Sequence, residues 1–188
     1  ETTVPSVRRN LFDMDEQVMR SVTFSYAQKA SQDFAKIFDG VRVFDNPKSY
    51  LDLEQLIRYL TEPGDIVLDF FAGSGTAAHG VLLANRGTHI SRKFICVQLP
   101  EPITPSTVTG RNALSFGFHT VADICKERVR RVIKEICSED ASMAPTLFNG
   151  AEPKPDRGFR TFKLAKSNFK PWDADGPRNA EELAHQLE

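Results

Sequence analysis

One stretch of this sequence constrains the fold more than any other: the apolar run at 66–70, Ile-Val-Leu-Asp-Phe, followed at once by the small-residue turn Ala-Gly-Ser-Gly-Thr at 72–76. The run is short and partly β-branched, which suits a strand buried on both faces. The turn then runs into 76–85, where Ala77, Val81 and Ala84 fit a helix, and Arg86-Gly87 closes it. A second apolar run at 94–97, Phe-Ile-Cys-Val, reads as another buried strand. Strand, turn, helix, loop and strand in this order make a βαβ unit with parallel strands.

Around this unit the chain reads as alternating helix and loop. Residues 1–22 show no period and read as loop. Apolar residues at Ala27, Ala30, Phe34, Ile37 and Phe38 predict a helix over 26–38 ended by Gly40. Residues 41–44 suit a short extended piece, and 45–49, Asp-Asn-Pro-Lys-Ser, carry turn chemistry. Leu53, Leu56, Ile57 and Leu60 predict a helix over 52–60. Residues 100–109 read as a loop with Pro100, Pro102 and Pro105. Val121, Ile124, Cys125, Val129, Val132, Ile133 and Ile136 share one face of a helix over 121–136. Residues 138–156 read as loop, 160–164 as a strand with one wetter face, and 180–187 as the start of a helix.

The turn is where chemistry is expected. Gly73 and Gly75 can adopt backbone angles closed to other residues and let a ligand approach the main chain. The first amides of the following helix point into the crevice at the strand's C-terminal end, where open α/β sheets bind ligands, and they favour an anionic group. Gly73-x-Gly75-x-x-Ala78 meets the loose dinucleotide pattern. An ATP-type loop would need Gly-Lys-Ser/Thr, whereas Gly75 is followed by Thr-Ala-Ala, so that reading is rejected. Two ligand classes stay open: a nicotinamide or flavin cofactor, and an S-adenosyl amino acid whose carboxylate would take the anion position. Asp69 favours the second. It would repel a pyrophosphate but could accept hydrogen bonds from an ammonium, or else cap the turn by bonding backbone N–H groups.

The block Asp-Phe-Phe-Ala-Gly-Ser-Gly-Thr at 69–76 resembles motif I of the β-class amino-methyltransferases that act on DNA. Asn46-Pro47-Lys48, just upstream, resembles motif X of that family. Val-Gln-Leu-Pro-Glu-Pro at 97–102, Gly-Phe-His-Thr-Val-Ala-Asp-Ile at 117–124, Glu-Arg-Val-Arg-Arg-Val-Ile at 127–133, Gly-Phe-Arg-Thr-Phe-Lys-Leu at 158–164 and Ser-Asn-Phe-Lys-Pro-Trp at 167–172 are similar to blocks of the modification (Mod) subunit of type III restriction–modification systems. The resemblance covers residues 23–188. It implies an α/β fold, a partial Rossmann-like, S-adenosylmethionine-dependent methyltransferase three-layer sandwich. It divides the chain into a lead-in segment (1–40), a cofactor-binding portion (41–172) and the start of a C-terminal helical segment (173–188).

The resemblance also implies roles. Asp69, Phe70, Phe71, Ala72, Gly73, Ser74, Gly75 and Thr76 would surround S-adenosyl-L-methionine, with Phe71 packed on it and Thr76 with the adjacent backbone holding its carboxylate. Asn46, Pro47 and Lys48 would lie across the cofactor. At the end of the second strand an acid is usual in the family; here Gln98 stands there, and either Gln98 or Glu101 would reach the ribose. Ala77 replaces a common second Thr. The family's catalytic Asp-Pro-Pro-Tyr is absent, and no two prolines are adjacent. The expected whole is a site-specific DNA adenine N6-methyltransferase, of which this chain is the cofactor-binding fragment, inactive alone because the target base must be gripped by the missing motif. The rivals are a nicotinamide-binding oxidoreductase domain and a non-catalytic interaction module.

Composition bounds the partners. The 24 basic and 25 acidic residues give a net charge of -1, too little positive charge for a domain gripping DNA by itself. DNA is therefore expected to be held mainly by other parts of the protein, with a restriction (Res) subunit and a homodimer partner as further associations. Lys126, Arg130 and Lys134 read as a solvated helix face rather than a phosphate track. No apolar run approaches the roughly 18 residues of a membrane helix, and no targeting pattern starts the chain, which begins without Met; the expected location is the prokaryotic cytoplasm. Cys96, Cys125 and Cys137 read as three buried thiols, and the four histidines, at 79, 89, 119 and 185, have no metal-ligand spacing. His79 reads as packing, and Trp172 with Phe169 as a strand anchor.

Overall fold

The structure is a computed structural model that describes residues 26–86, 91–142, 157–165 and 181. Its element order is α1 (Ala27–Ile37), α2 (Tyr50–Leu60), β1 (Ile66–Asp69), α3 (Thr76–Ala84), β2 (Lys93–Cys96), α4 (Val108–Ser115) and α5 (Val121–Ser142). β1 and β2 pair in parallel, with Val67 opposite Phe94 and Leu68 opposite Ile95. α3 connects them, so the βαβ unit is present and the class is α/β. Helices α2 and α3 pack on one face of the sheet, where Ile57, Val81 and Ala84 meet Leu53, Val67 and Phe94. Gly80 permits this approach: a Cβ there would lie 3.1 Å from the Glu54 amide nitrogen and from the Ile57 side chain. A second cluster joins Phe34 of α1 and Phe38 at its C-terminal cap to Val43, Ala113, Phe118 and Ile124, so α1 belongs to the same packed unit as α5.

Three helix starts carry side-chain caps. Ser49 accepts from the Asp52 amide at 3.3 Å and opens α2, and Thr107 accepts from the Gly110 amide at 3.0 Å and opens α4. At α5, the Thr120 hydroxyl accepts from the Asp123 amide at 3.3 Å while the Asp123 carboxylate accepts from the Thr120 amide at 2.9 Å, a reciprocal capping pair.

Several expectations are corrected. Neither strand is buried on both faces: Ile66, Leu68 and Ile95 are exposed while Val67, Asp69, Phe94 and Cys96 are half-buried. Among the described residues, helices cover one side only. Residues 160–164 form no strand: Phe162 and Leu164 are exposed, and among the described residues no strand pairs with them. α4 overlaps the end of the loop expected at 100–109 and extends into 110–115, which carried no assignment, because its buried residues, Thr109, Gly110 and Ala113, are too small and polar to show a period. α5 continues to Ser142, six residues past its predicted end. The cysteines divide: Cys125 is buried, Cys96 half-buried and Cys137 exposed, off the apolar face of α5. The expected loops at 1–22 and 143–156 lie outside the described residues. So do the 180–187 helix apart from residue 181, and Trp172 with Phe169. Residues 158–188 fall into a separate unit from 1–157.

Candidate functional site

The glycine turn is held from the sheet side. The Val97 amide donates to the Asp69 carbonyl at 2.8 Å, and the Ala72 amide to the Val97 carbonyl at 3.1 Å, so the turn continues the ladder beyond β1. Gly73 and Gly75 have φ of +51° and +80°, the left-handed region that glycine enters without a Cβ penalty. The Gly75 amide closes on the Ala72 carbonyl at 2.7 Å. α3 then starts at Thr76, and the Thr76 and Ala77 amides have no backbone acceptor among the described residues. These are the orphan donors of a helix start.

Asp69 and Gln98 are engaged with this turn. One Asp69 carboxylate oxygen accepts from the Phe71 amide at 3.0 Å, which is the capping geometry, and the second oxygen has no partner among the described residues. Gln98 Oε1 accepts from the Gly73 amide at 2.6 Å and its Nε2 donates to the Leu99 carbonyl at 3.2 Å. Gln98 is thus a strut between β2 and the turn, while Glu101 is exposed. Phe70 and Phe71 stand out from the protein, Phe71 at 88% exposure, whereas Ala72, Ser74 and Thr76 are buried.

The upstream segment is brought against the turn. A Cβ on Gly73 would sit 3.8 Å from the Phe44 ring. Asn46 holds φ +51°, Pro47 is buried and Lys48 is exposed. Asp45 accepts from the Thr109 hydroxyl at 2.8 Å and Asn112 donates to the Arg42 carbonyl at 2.9 Å, which tie 42–45 to α4. A groove of about 540 Å³ runs along α1 and includes Gln28, Ser31, Gln32, Arg42 and Asn46. Asn46 is the sole predicted site residue on its wall.

Beneath the turn lies Arg128 of α5, fully buried. Its Nη1 donates to the Thr76 hydroxyl at 2.8 Å, the Ser74 hydroxyl at 3.1 Å and the Ser74 carbonyl at 3.3 Å. Its Nη2 lies 3.2 Å from His79 Nδ1. A guanidinium can only donate, so Nδ1 is assigned as the acceptor and the ring proton to Nε2. Burial, then the charge of Arg128, pushes His79 down to about 3, so it is neutral at physiological pH. Its ring stacks on Tyr50 of α2 with centroids 4.0 Å apart. The packing role expected for His79 therefore holds. Burial lowers Arg128 to about 10, and it stays charged. Sequence reasoning missed Arg128. Its signal was present: it stands three residues after Cys125 and one before Val129, inside the apolar stripe of α5.

Lys126, Arg130 and Lys134 behave as a solvated face, whereas Arg131 ties α5 to the end of α1 by donating to the Ile37 carbonyl at 3.0 Å and pairing with Asp39 at 2.8 Å. Lys126 pairs with Asp123 at 2.8 Å, Arg130 with Glu127 at 3.6 Å, and Arg131 with Glu127 at 3.0 Å. Among the described residues no group of His, Cys, Asp and Glu has metal-site geometry, and no helix is long and apolar enough to cross a membrane.

A family model described as DNA methylase matches residues 13–106, half of the chain, and spans the 42–49 segment, the glycine turn and β2. The chain belongs to the DNA methylase family. Among curated relatives it is similar to the EcoP15I Mod subunit, a type III restriction-modification enzyme of Escherichia coli, with 36% identity over 150 residues, 79% of this chain and 20% of that protein. It is 36% identical to the type II methyltransferase M.KpnI of Klebsiella pneumoniae over 57% of this chain and 24% of the relative. The EcoPI Mod subunit of Escherichia phage P1 matches at 36% over 58% of this chain and 16% of its own length. The chain thus spans about a fifth of the length of the curated relatives it matches.

Proposed function

We propose that this chain is the cofactor-binding portion of a site-specific DNA adenine N6-methyltransferase, the modification subunit of a type III restriction–modification system. The observation that carries the reading is the glycine turn with orphan helix amides on one side and the free Asp69 oxygen on the other, in a chain of the DNA methylase family. A zwitterionic amino-acid end matches that pair of charges: a carboxylate at the amides, an ammonium at Asp69. A pyrophosphate does not, because Asp69 repels it.

S-adenosyl-L-methionine, when bound, supplies the electrophilic methyl that passes to an amino nitrogen. The chain's own residues would bind and orient it. Thr76 and the first amides of α3 hold the carboxylate, Asp69 the ammonium, and Phe71 and Phe70 offer exposed rings for packing. Asn46, Pro47 and Lys48 lie across from the turn in this reading, and Glu101 takes the ribose in place of the engaged Gln98. The three-layer Rossmann-like sandwich is completed by a further layer on the exposed side of the sheet. No residue here matches the Asp-Pro-Pro-Tyr motif, so gripping the flipped adenine falls to the rest of the protein. DNA, a Res subunit and a second Mod copy are the partners this reading implies, in the prokaryotic cytoplasm.

Calorimetric titration with S-adenosylhomocysteine and with NAD tests the reading. Binding of the first and none of the second is expected, with Asp69→Ala weakening it about tenfold. NAD binding without S-adenosylhomocysteine binding would overturn it. In the whole protein, transferred methyl should be recovered as N6-methyladenine.

A further inference from the structure

Arg128 is a buried cation with no carboxylate partner among the described residues. Its hydrogen bonds run to neutral groups: the Ser74 carbonyl, two hydroxyls and the His79 ring. Its guanidinium carbon lies 5.0 Å from the centre of the Phe34 ring, whose π face gives partial compensation. Its Nε has no hydrogen-bond partner among the described residues. Burying a charge in this way is costly unless an opposite charge arrives.

The hydroxyls indicate where that charge belongs. Arg128 donates to both Ser74 and Thr76, so each hydroxyl keeps its own proton to give. The two oxygens are 3.5 Å apart, so one proton can point at the other oxygen. The second proton then has no acceptor among the described residues. The same turn carries the orphan amides of Thr76 and Ala77. Fixed charge, hydroxyl proton and amides belong to one buried stretch of chain, Ser74 3% and Thr76 6% exposed, where each is worth more than in solvent.

Resting on the cofactor reading above, we infer that Arg128 is the positioning residue for the carboxylate of the cofactor's amino-acid end: it fixes the Ser74 and Thr76 hydroxyls as donors and supplies the buried counter-charge from beneath the turn. Asp69 gives the opposite sign at the strand end, so the two residues set the polarity in which a zwitterion docks. Tyr50 and His79 hold the guanidinium in place from the α2 side.

The test compares two probes with the same nucleoside thioether: S-adenosylhomocysteine, which carries the amino-acid end, and 5′-methylthioadenosine, which lacks it. In calorimetry, Arg128→Met should weaken S-adenosylhomocysteine about tenfold or more while 5′-methylthioadenosine changes less than about twofold. Arg128→Lys, which retains the charge, should restore most of the preference. Equal weakening of both probes, or no rescue by Lys, would reduce Arg128 to a packing residue. If a thermal scan shows that Arg128→Met does not fold, Arg128→Lys and Thr76→Val decide: the first must keep the preference and the second must lose it. A native protein that binds no S-adenosylhomocysteine would instead sink the cofactor reading itself, and the role of Arg128 with it.

Discussion

At the scale of single residues, Gly75 shows how a local conformation and a long-range contact coincide. Its φ of +80° already excludes most side chains, and a Cβ would lie 2.9 Å from Cys125 Sγ and 3.4 Å from the Cys125 carbonyl. Gly64 has φ +92° but open space around it. Gly64→Ala should therefore cost about 1 kcal/mol, the backbone penalty alone. Gly75→Ala should cost about 3 kcal/mol or more, because α5 must also move. Urea unfolding midpoints check the difference; equal losses would show that α5 yields freely. The two glycines look alike in sequence, since both follow a turn former and precede an element. What separates them is a cysteine fifty residues downstream, which no local pattern announces.

At the scale of elements, hydrophobic period was a sound guide wherever the buried residues are large. α1, α2 and α5 lie close to their predicted spans for that reason, while α3, which buries mostly small residues, was placed by the glycine turn before it and the strand after it. α4 escaped because threonine, glycine and alanine leave no amphipathic signature, and residues 160–164 alternate but pair with no strand among the described residues. The α5 start carries a prediction of its own. Burial raises the Asp123 carboxyl, but Lys126, the Thr120 hydroxyl and the Thr120 and His119 amides outweigh it and bring it down to about 2. A folded-state value below the usual one near 4 means that the stabilisation is complete above pH 4 and is lost as pH falls from about 4 to 2. Asp123→Asn should destabilise the protein by about 1 kcal/mol at neutral pH, a modest value for a partly exposed cap. Acid-unfolding curves of the two proteins should converge near pH 2. A gap that persists there would assign the effect to something other than this carboxylate.

For the whole molecule, the sheet is the telling feature. Leu68 and Ile95 are register partners on the exposed side, while Val67 and Phe94 are partners on the covered side. Both pairs are apolar, which is the composition of a strand destined for two covers. In this chain alone, Ile95→Lys should change stability by less than about 0.5 kcal/mol and lower self-association in sedimentation velocity. Phe94→Ala should cost about 3 kcal/mol. Equal destabilisation by the two would show that the open side is covered within this chain. In the whole protein, Ile95→Lys should become as damaging as Phe94→Ala, as the three-layer reading requires.

The amino-acid sequence by itself determined the βαβ unit, the glycine turn and the motif blocks that point to an S-adenosyl ligand, because strand and helix periods and the lack of a Cβ act over a few residues. Tertiary structure alone decided that Gln98 props the turn, that the described residues cover only one side of the sheet, and that Arg128 sits beneath Ser74 and Thr76. These outcomes depend on which groups meet across 25 to 54 positions of chain. A buried charge is recognisable only when the groups that surround it are known.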